Sequence, residues 1–167
     1  YCISLACVVG DQTQHAVMID PTRREEFSAS RGKGAELNGE RIRVSKRSSL
    51  SDALVGNTSH VNESQKYTFD NIATFRSLYK HSLTIRRSGC SALDLAYVAA
   101  GRLDAFWAQG LGIWDVAAGM LIAEEAGALT SDFLGNPTYK DSDHYLCATP
   151  NCFKPMLESI KPNFKAD

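Results

Sequence analysis

The order of apolar and polar positions divides the chain into an extended first part and an alternating second part. Ile3 to Val9 is an apolar run, and Gln14 to Asp20 is a second, separated by the polar turn Gly10-Asp11-Gln12. Asp20-Pro21-Thr22-Arg23 is a turn signal, Glu26 to Ser30 a third strand, and Asn38-Gly39 a hairpin signal after the glycine-punctuated segment 32–39. These patterns predict antiparallel strands joined by tight turns. After the polar connection 48–52, Ala53–Gly56 is a short strand. Tyr67, Ile72, Phe75, Leu78 and Tyr79 fall roughly on one face, which predicts a helix over 63–80. Strands are then expected at 83–86, 103–107, 128–133 and 145–148, and helices at 91–100, 115–126 and 152–160. Gly101 and Gly127 stop two of those helices. Such alternation argues an α/β layered fold, with residues 1–47 a sheet remnant and 48–167 an α/β domain that carries the site.

At 167 residues the chain is long enough for one sizeable core and short for two. The net charge of −1 gives no general affinity for nucleic acid or anionic membrane, so direct nucleic-acid binding is not expected. No apolar run reaches membrane-spanning length. The apolar start has neither a basic leader nor a cleavage region, so it reads as a buried strand that begins abruptly rather than a signal peptide. Cysteines stand at 2, 7, 90, 147 and 152, an odd set without zinc spacing, which fits reduced thiols in the cytoplasm. His15, His60, His81 and His144 show no ligand spacing.

Two segments carry candidate chemistry. In Arg86-Arg87-Ser88-Gly89-Cys90-Ser91-Ala92-Leu93-Asp94 a strand runs into a glycine and a helix begins at once. Free backbone N–H groups and the positive end of the helix dipole make such a start an anion site, and Gly89 lets a phosphate approach the backbone. Ser88 or Ser91 as a plain helix cap is the commoner role. In Gly110-Leu111-Gly112-Ile113-Trp114-Asp115 a glycine-rich loop brings a Trp-Asp pair to another helix start, where Asp115 either caps the helix or offers a carboxylate to a cation. A lone carboxylate is too few ligands for magnesium.

The stretch from Arg86 to Asp132, and above all Trp114-Asp115-Val116-Ala117-Ala118-Gly119 followed by Glu125-Ala126-Gly127, closely resembles the C-terminal signature of the inositol monophosphatase family. Agreement extends to Asp20-Pro21, Arg31 to Ala35, Leu37 to Gly39 and the last helix. The resemblance implies the sugar-phosphatase fold, an αβαβα sandwich, here truncated at its N-terminus. It implies a Mg2+-dependent phosphomonoesterase acting on inositol monophosphate or a related sugar or polyol phosphate, cytoplasmic and homodimeric. Asp115 would be the metal ligand and catalytic residue, with Gly89, Cys90 and Ser91 lying against the substrate.

Two departures qualify this. The family's other metal ligands belong to a Glu-Glu pair and an Asp-Pro-Ile/Leu-Asp-Gly-Thr motif, and neither is present. Asp20-Pro21 matches a structural turn instead, and Glu25-Glu26 and Glu124-Glu125 are not read as ligands. The chain is therefore expected to begin shortly after that motif and to be nearly inactive alone. Second, Ala108 stands at a substrate-binding position where members that handle inositol phosphate carry a Glu, which puts inositol specificity in question. Fructose bisphosphate, histidinol phosphate or a nucleotide phosphate are the alternatives. Bacterial members also include an antitermination factor, so a non-catalytic regulatory role through protein or RNA contacts is a further alternative.

Overall fold

The computed structural model describes residues 1–60, 67–137 and 142–166. The N-terminal part is a five-stranded antiparallel meander: β1 (Ile3–Val9), β2 (Gln12–Asp20), β3 (Glu25–Ser30), β4 (Gly34–Leu37) and β5 (Glu40–Ile42). Its turns follow from local chemistry. Asn38 and Gly39 both take positive φ, 52° and 81°, which the two-residue hairpin between β4 and β5 requires. The Asn38 Oδ1 then accepts the Glu26 N–H at 2.8 Å, tying that turn to β3. Asp20 accepts the N–H groups of Thr22 and Arg23 at 2.9 and 3.1 Å, so this Asp-Pro serves a structural turn, as expected.

A second, mixed sheet has the order β10-β11-β9-β6-β8. Within it β6 (Leu54–Ser59) runs parallel to both its neighbours, β8 (Thr84–Arg86) and the central strand β9 (Ala105–Gln109). Strands β10 (Leu129–Ser131) and β11 (His144–Ala148) extend it antiparallel. Helices α2 (Ser91–Ala99) and α3 (Ile113–Glu125) lie between the two sheets. They share one core with Met18 and Phe27 of the first sheet and Phe106, Ala108 and Tyr145 of the second. Helices α1 (Asn71–His81) and α4 (Pro150–Ile160) cover the other face of the second sheet, where Trp107, Leu78, Leu146 and Met156 are buried. Each fully buried large side chain stabilises the fold by roughly 1.5–3 kcal/mol. The layers are thus sheet, helices, sheet, helices, in agreement with the expected α/β sandwich. Among the described residues no helix covers the outer face of the first sheet.

The boundary expected at 47 falls in the irregular connection between β5 and β6. That connection is fastened by Asp104, which accepts the Leu54 N–H at 2.7 Å and the Ser45 hydroxyl, and faces Arg47 at 3.6 Å. Residues 1–47 bury no core separate from the rest.

One predicted element is corrected. The helix expected over 63–80 begins only at Asn71, where Asp70 caps it by accepting the Ala73 N–H at 2.8 Å. Before it, Tyr67–Phe69 forms β7, paired antiparallel with β12 (Phe164–Ala166), which pattern reading did not foresee. Tyr67 and Phe69 pack against Phe164 and Phe133, and this distant aromatic cluster overrides the helical spacing. Residues 63–66 of that prediction lie outside the described residues.

Candidate functional site

Parallel strands β8, β6 and β9 end side by side, and the segments leaving those ends converge, the usual place for a site in such sheets. From β8 the chain passes through Gly89, whose φ of 83° suits glycine, directly into α2. The residue capping α2 is Cys90, which makes no side-chain capping bond. Ser88 Oγ instead accepts the N–H of Cys90 at 3.1 Å. Among the described residues, the N–H groups of Ser91, Ala92 and Leu93 are left without an acceptor, so neither serine caps the helix in the ordinary way.

From β9 the chain turns at Gly110 and Gly112 into α3. Gly110 is required by close approach to fixed backbone, whereas Gly112 approaches only the movable Trp114 ring. A Cβ at Gly110 would lie 2.1 Å from the His60 carbonyl oxygen, and one at Gly112 would lie 2.3 Å from the Trp114 ring. Trp107 is buried core, but Trp114 is 78% exposed, its indole folded over Gly112. Asp115 sits in the first turn of α3, half-buried, and its Oδ2 accepts the Gly112 N–H at 2.9 Å. That bond fixes the carboxylate's direction and completes the helix start, since the Asp115 N–H donates back to the Gly112 carbonyl at 3.0 Å. Among the described residues Oδ1 accepts no hydrogen bond. Below the loop, Tyr145 donates to the Ser142 carbonyl, and burial raises its phenol above the usual range.

The two segments meet in one cavity of about 330 Å³. Gly89, Cys90, Ser91 and Asp115, all singled out from the sequence, line it together with Gly110, Leu111 and Trp114. Cys2 and Ser4 from β1 and His60 after β6 also line it, and sequence reading missed them. For His60 the sequence offered no signal, because the strand read from the sequence stopped at Gly56 whereas β6 runs on to Ser59, and its parallel pairing appears only in the structure. For Cys2 and Ser4 there was none, since only the packing of β1 against α3 brings them near. Ala108 is fully buried in β9, within the core between the sheets, and is not among the residues lining this cavity.

Backbone donors on one wall and a carboxylate on another can hold an anion beside a cation. For magnesium, Asp115 fits as one oxygen donor. Among the described residues no group of three or more His, Cys, Asp or Glu is placed to hold a metal ion, so those residues do not furnish an octahedral set. The acidic pairs have other duties. Glu125 accepts the N–H groups of Gly32 and Gly34 at 2.6 and 2.7 Å, Glu124 accepts the Thr130 hydroxyl at 2.7 Å, and Glu25 holds Arg102 through two bonds of 2.7 Å.

Arg86 and Arg87 do not line this cavity. They border a second one of about 360 Å³ with Arg23, Asp94, Tyr97 and Arg102. Asp94 is 1% exposed and its Oδ2 has no partner. Burial, partly offset by the Ser88 hydroxyl, pushes its carboxyl up to about 6. His144 is buried and its Nδ1 accepts the Phe133 N–H at 3.1 Å. Burial lowers its pKa, which fits a neutral structural ring.

The model of the inositol monophosphatase family matches residues 1–161 of the chain. A "Nus factor SuhB" from Pseudomonas aeruginosa is 48% identical over 164 residues, covering 98% of this chain and 60% of that protein. One of the same name from Escherichia coli K12 is 38% identical over 161 residues, covering 96% and 60%. Among solved structures, the extragenic suppressor protein suhB from Bartonella henselae superposes with a TM-score of 0.88 at 32% identity, covering 96% of this chain and 63% of that one. An inositol monophosphatase from Anabaena gives a TM-score of 0.87 at 32% identity, covering 95% and 62%. The chain spans about 60% of the length of the curated relatives it matches.

Proposed function

The chain belongs to the inositol monophosphatase family, and we propose that the whole protein is a divalent-metal-dependent phosphomonoesterase acting on a sugar or polyol phosphate. The observation that carries this reading is the meeting of the uncapped α2 start with the Asp115 carboxylate in one cavity. In this reading the N–H groups of Ser91, Ala92 and Leu93 bind and orient the phosphate, with the α2 dipole favouring its charge. Gly89, Cys90 and the Ser91 hydroxyl border it. The Gly112 N–H holds one oxygen of Asp115, which leaves the other aimed for a cation, Mg2+ in this proposal. Such a cation supplies charge neutralisation and a more acidic water to the hydrolysis. Its remaining donors are proposed to come from the substrate phosphate and from the part of the protein outside this chain.

Ala108, the position expected to touch the substrate, is buried in the core and does not line the cavity, so substrate choice falls to the residues that do line it. Inositol monophosphate is the first candidate, with fructose bisphosphate, histidinol phosphate and nucleotide phosphates as the alternatives. The reading includes a homodimer in the cytoplasm, on the family resemblance. No helix among the described residues is long and apolar enough to cross a membrane.

The test is phosphate release by the whole protein from a panel of these esters, with and without Mg2+, beside an Asp115→Asn variant. Metal-dependent release that the variant loses is expected. Full activity in the variant, or no release from any ester, overturns the reading.

A second reading is favoured by the names of the relatives at 48% and 38% identity, which are Nus factors. In it the protein acts through contacts with other macromolecules. An Asp115→Asn variant that retains the cellular role while losing hydrolysis would separate the two.

A further inference from the structure

Two of the five cysteines face each other across the candidate cavity. Cys2, just before β1, and Cys90, capping α2, place their sulfurs 3.7 Å apart, and both line the cavity wall. They lie 88 residues apart in the chain, so the contact is made by packing alone. All five cysteines are free thiols, and no other pair comes within hydrogen-bonding range among the described residues. Cys147 and Cys152 are buried, and Cys7 is exposed further along β1.

We propose that Cys2 and Cys90 are an oxidisable thiol pair whose disulfide closes the anion cradle. A disulfide needs its sulfurs about 2.05 Å apart, so the pair must close by about 1.7 Å. Cys2 precedes β1, which among the described residues is hydrogen-bonded to β2 alone. Cys90 in turn is held at its N–H by a serine hydroxyl, not locked in a capping bond.

The oxidant is a low-molecular-weight disulfide such as oxidised glutathione. The Cys90 thiolate attacks one of its sulfurs, forming a mixed disulfide and displacing one thiolate. Burial and the neighbouring Cys90 sulfur keep the Cys2 thiol protonated, its pKa pushed up to about 12. It gives up its proton as it attacks the Cys90 sulfur, and the second thiolate leaves. Two protein thiols are oxidised to one disulfide, one small disulfide is reduced to two thiols, and the protons pass to the leaving groups.

The new bond would draw β1 against the first turn of α2, where Ser91 and Ala92 line the cavity. This consequence rests on the phosphate-binding reading above, whereas formation of the bond does not. The experiment takes the whole protein, reduced or equilibrated with oxidised glutathione. It measures linked peptides by mass spectrometry under non-reducing conditions and inorganic phosphate affinity by calorimetry. A Cys2–Cys90 peptide is expected, with phosphate binding at least about tenfold weaker than in the reduced protein and recovered with dithiothreitol. The Cys2→Ser variant should stop at the mixed disulfide. Absence of the linked peptide overturns the proposal, and so does a linked protein that binds phosphate as the reduced one does. A reduced protein that fails to bind phosphate overturns the cradle reading instead, and the linked peptide is still seen in that case.

Discussion

Gly119 of α3 lies against Leu95 of α2 so closely that a Cβ on the glycine would sit 2.7 Å from the leucine Cβ. These helices carry the two halves of the site, Gly89 to Ser91 on one and Asp115 on the other. The glycine therefore sets how near the backbone cradle comes to the carboxylate. A Gly119→Ala substitution must push the helices apart, because the Leu95 Cβ at 2.7 Å is fixed to its backbone and cannot swing away as the leucine Cδ1 at 2.8 Å can. We expect a loss of about 1–3 kcal/mol in urea unfolding, together with weaker phosphate binding by the whole protein. A variant as stable as the wild type, with unaltered affinity, would show that the helix spacing is not set here.

Asp115→Asn separates charge from shape. The amide oxygen can still accept the Gly112 N–H that the carboxylate now holds at 2.9 Å, so stability should change by no more than about 1 kcal/mol. The anionic donor is lost, and phosphate release should fall at least about a hundredfold. Thermal melts beside rate measurements check both halves.

Asp94 predicts a pH dependence. Its folded pKa, pushed up to about 6 by burial, lies above the ordinary 3.8. Below pH ~4 the carboxyl is protonated in both folded and unfolded chains and costs nothing. Between about pH 4 and 6 the unfolded chain ionises first, so that contribution to stability is lost as pH rises through the folded value. Asp94→Asn should remove the effect, leaving the variant about 1–3 kcal/mol more stable than the wild type at pH 8 and near parity at pH 4. Denaturant titrations at the two pH values decide it, and an equal gap at both would refute the assignment.

Glu125 joins α3 to the turn between β3 and β4 through the Gly32 and Gly34 N–H groups. Glu125→Ala leaves two donors without their acceptor, and we expect a loss of about 1–3 kcal/mol in urea unfolding. The Mg2+ dependence of phosphate release should not change, because this carboxylate is structural.

Strand β1 exposes Ile3 by 52%, Leu5 by 60%, Val8 by 52% and Val9 by 63% on an unpaired sheet edge. The 167-residue chain alone should self-associate through this edge. Sedimentation velocity should show the association, and Leu5→Lys should reduce it. A monomeric, cooperative melt of the chain would count against the expectation.

Local chemistry was readable where its cause was local. The Asn38-Gly39 hairpin, the Asp20 turn and the helix starts after Gly89 and Gly112 each depend on residues within a few positions. The alternation of strands and helices after residue 53 gave the layered class for the same reason, since apolar spacing records which side of each element is buried. Residues 67–69 escaped that logic. Their spacing continues a helix, but Phe133 and Phe164 draw Tyr67 and Phe69 into a strand.

By itself, the sequence determined the family signature, the fold class and four residues of the cavity wall: Gly89, Cys90, Ser91 and Asp115. Those features are written in backbone conformations and helix starts, whose energetics span only a few neighbours. Tertiary structure alone decided that Cys2 meets Cys90, that His60 borders the cavity, that Ala108 is buried away from it, and that Arg86 and Arg87 border a different one. Each of these depends on how whole strands and helices dock, and docking is set by core contacts between residues tens of positions apart.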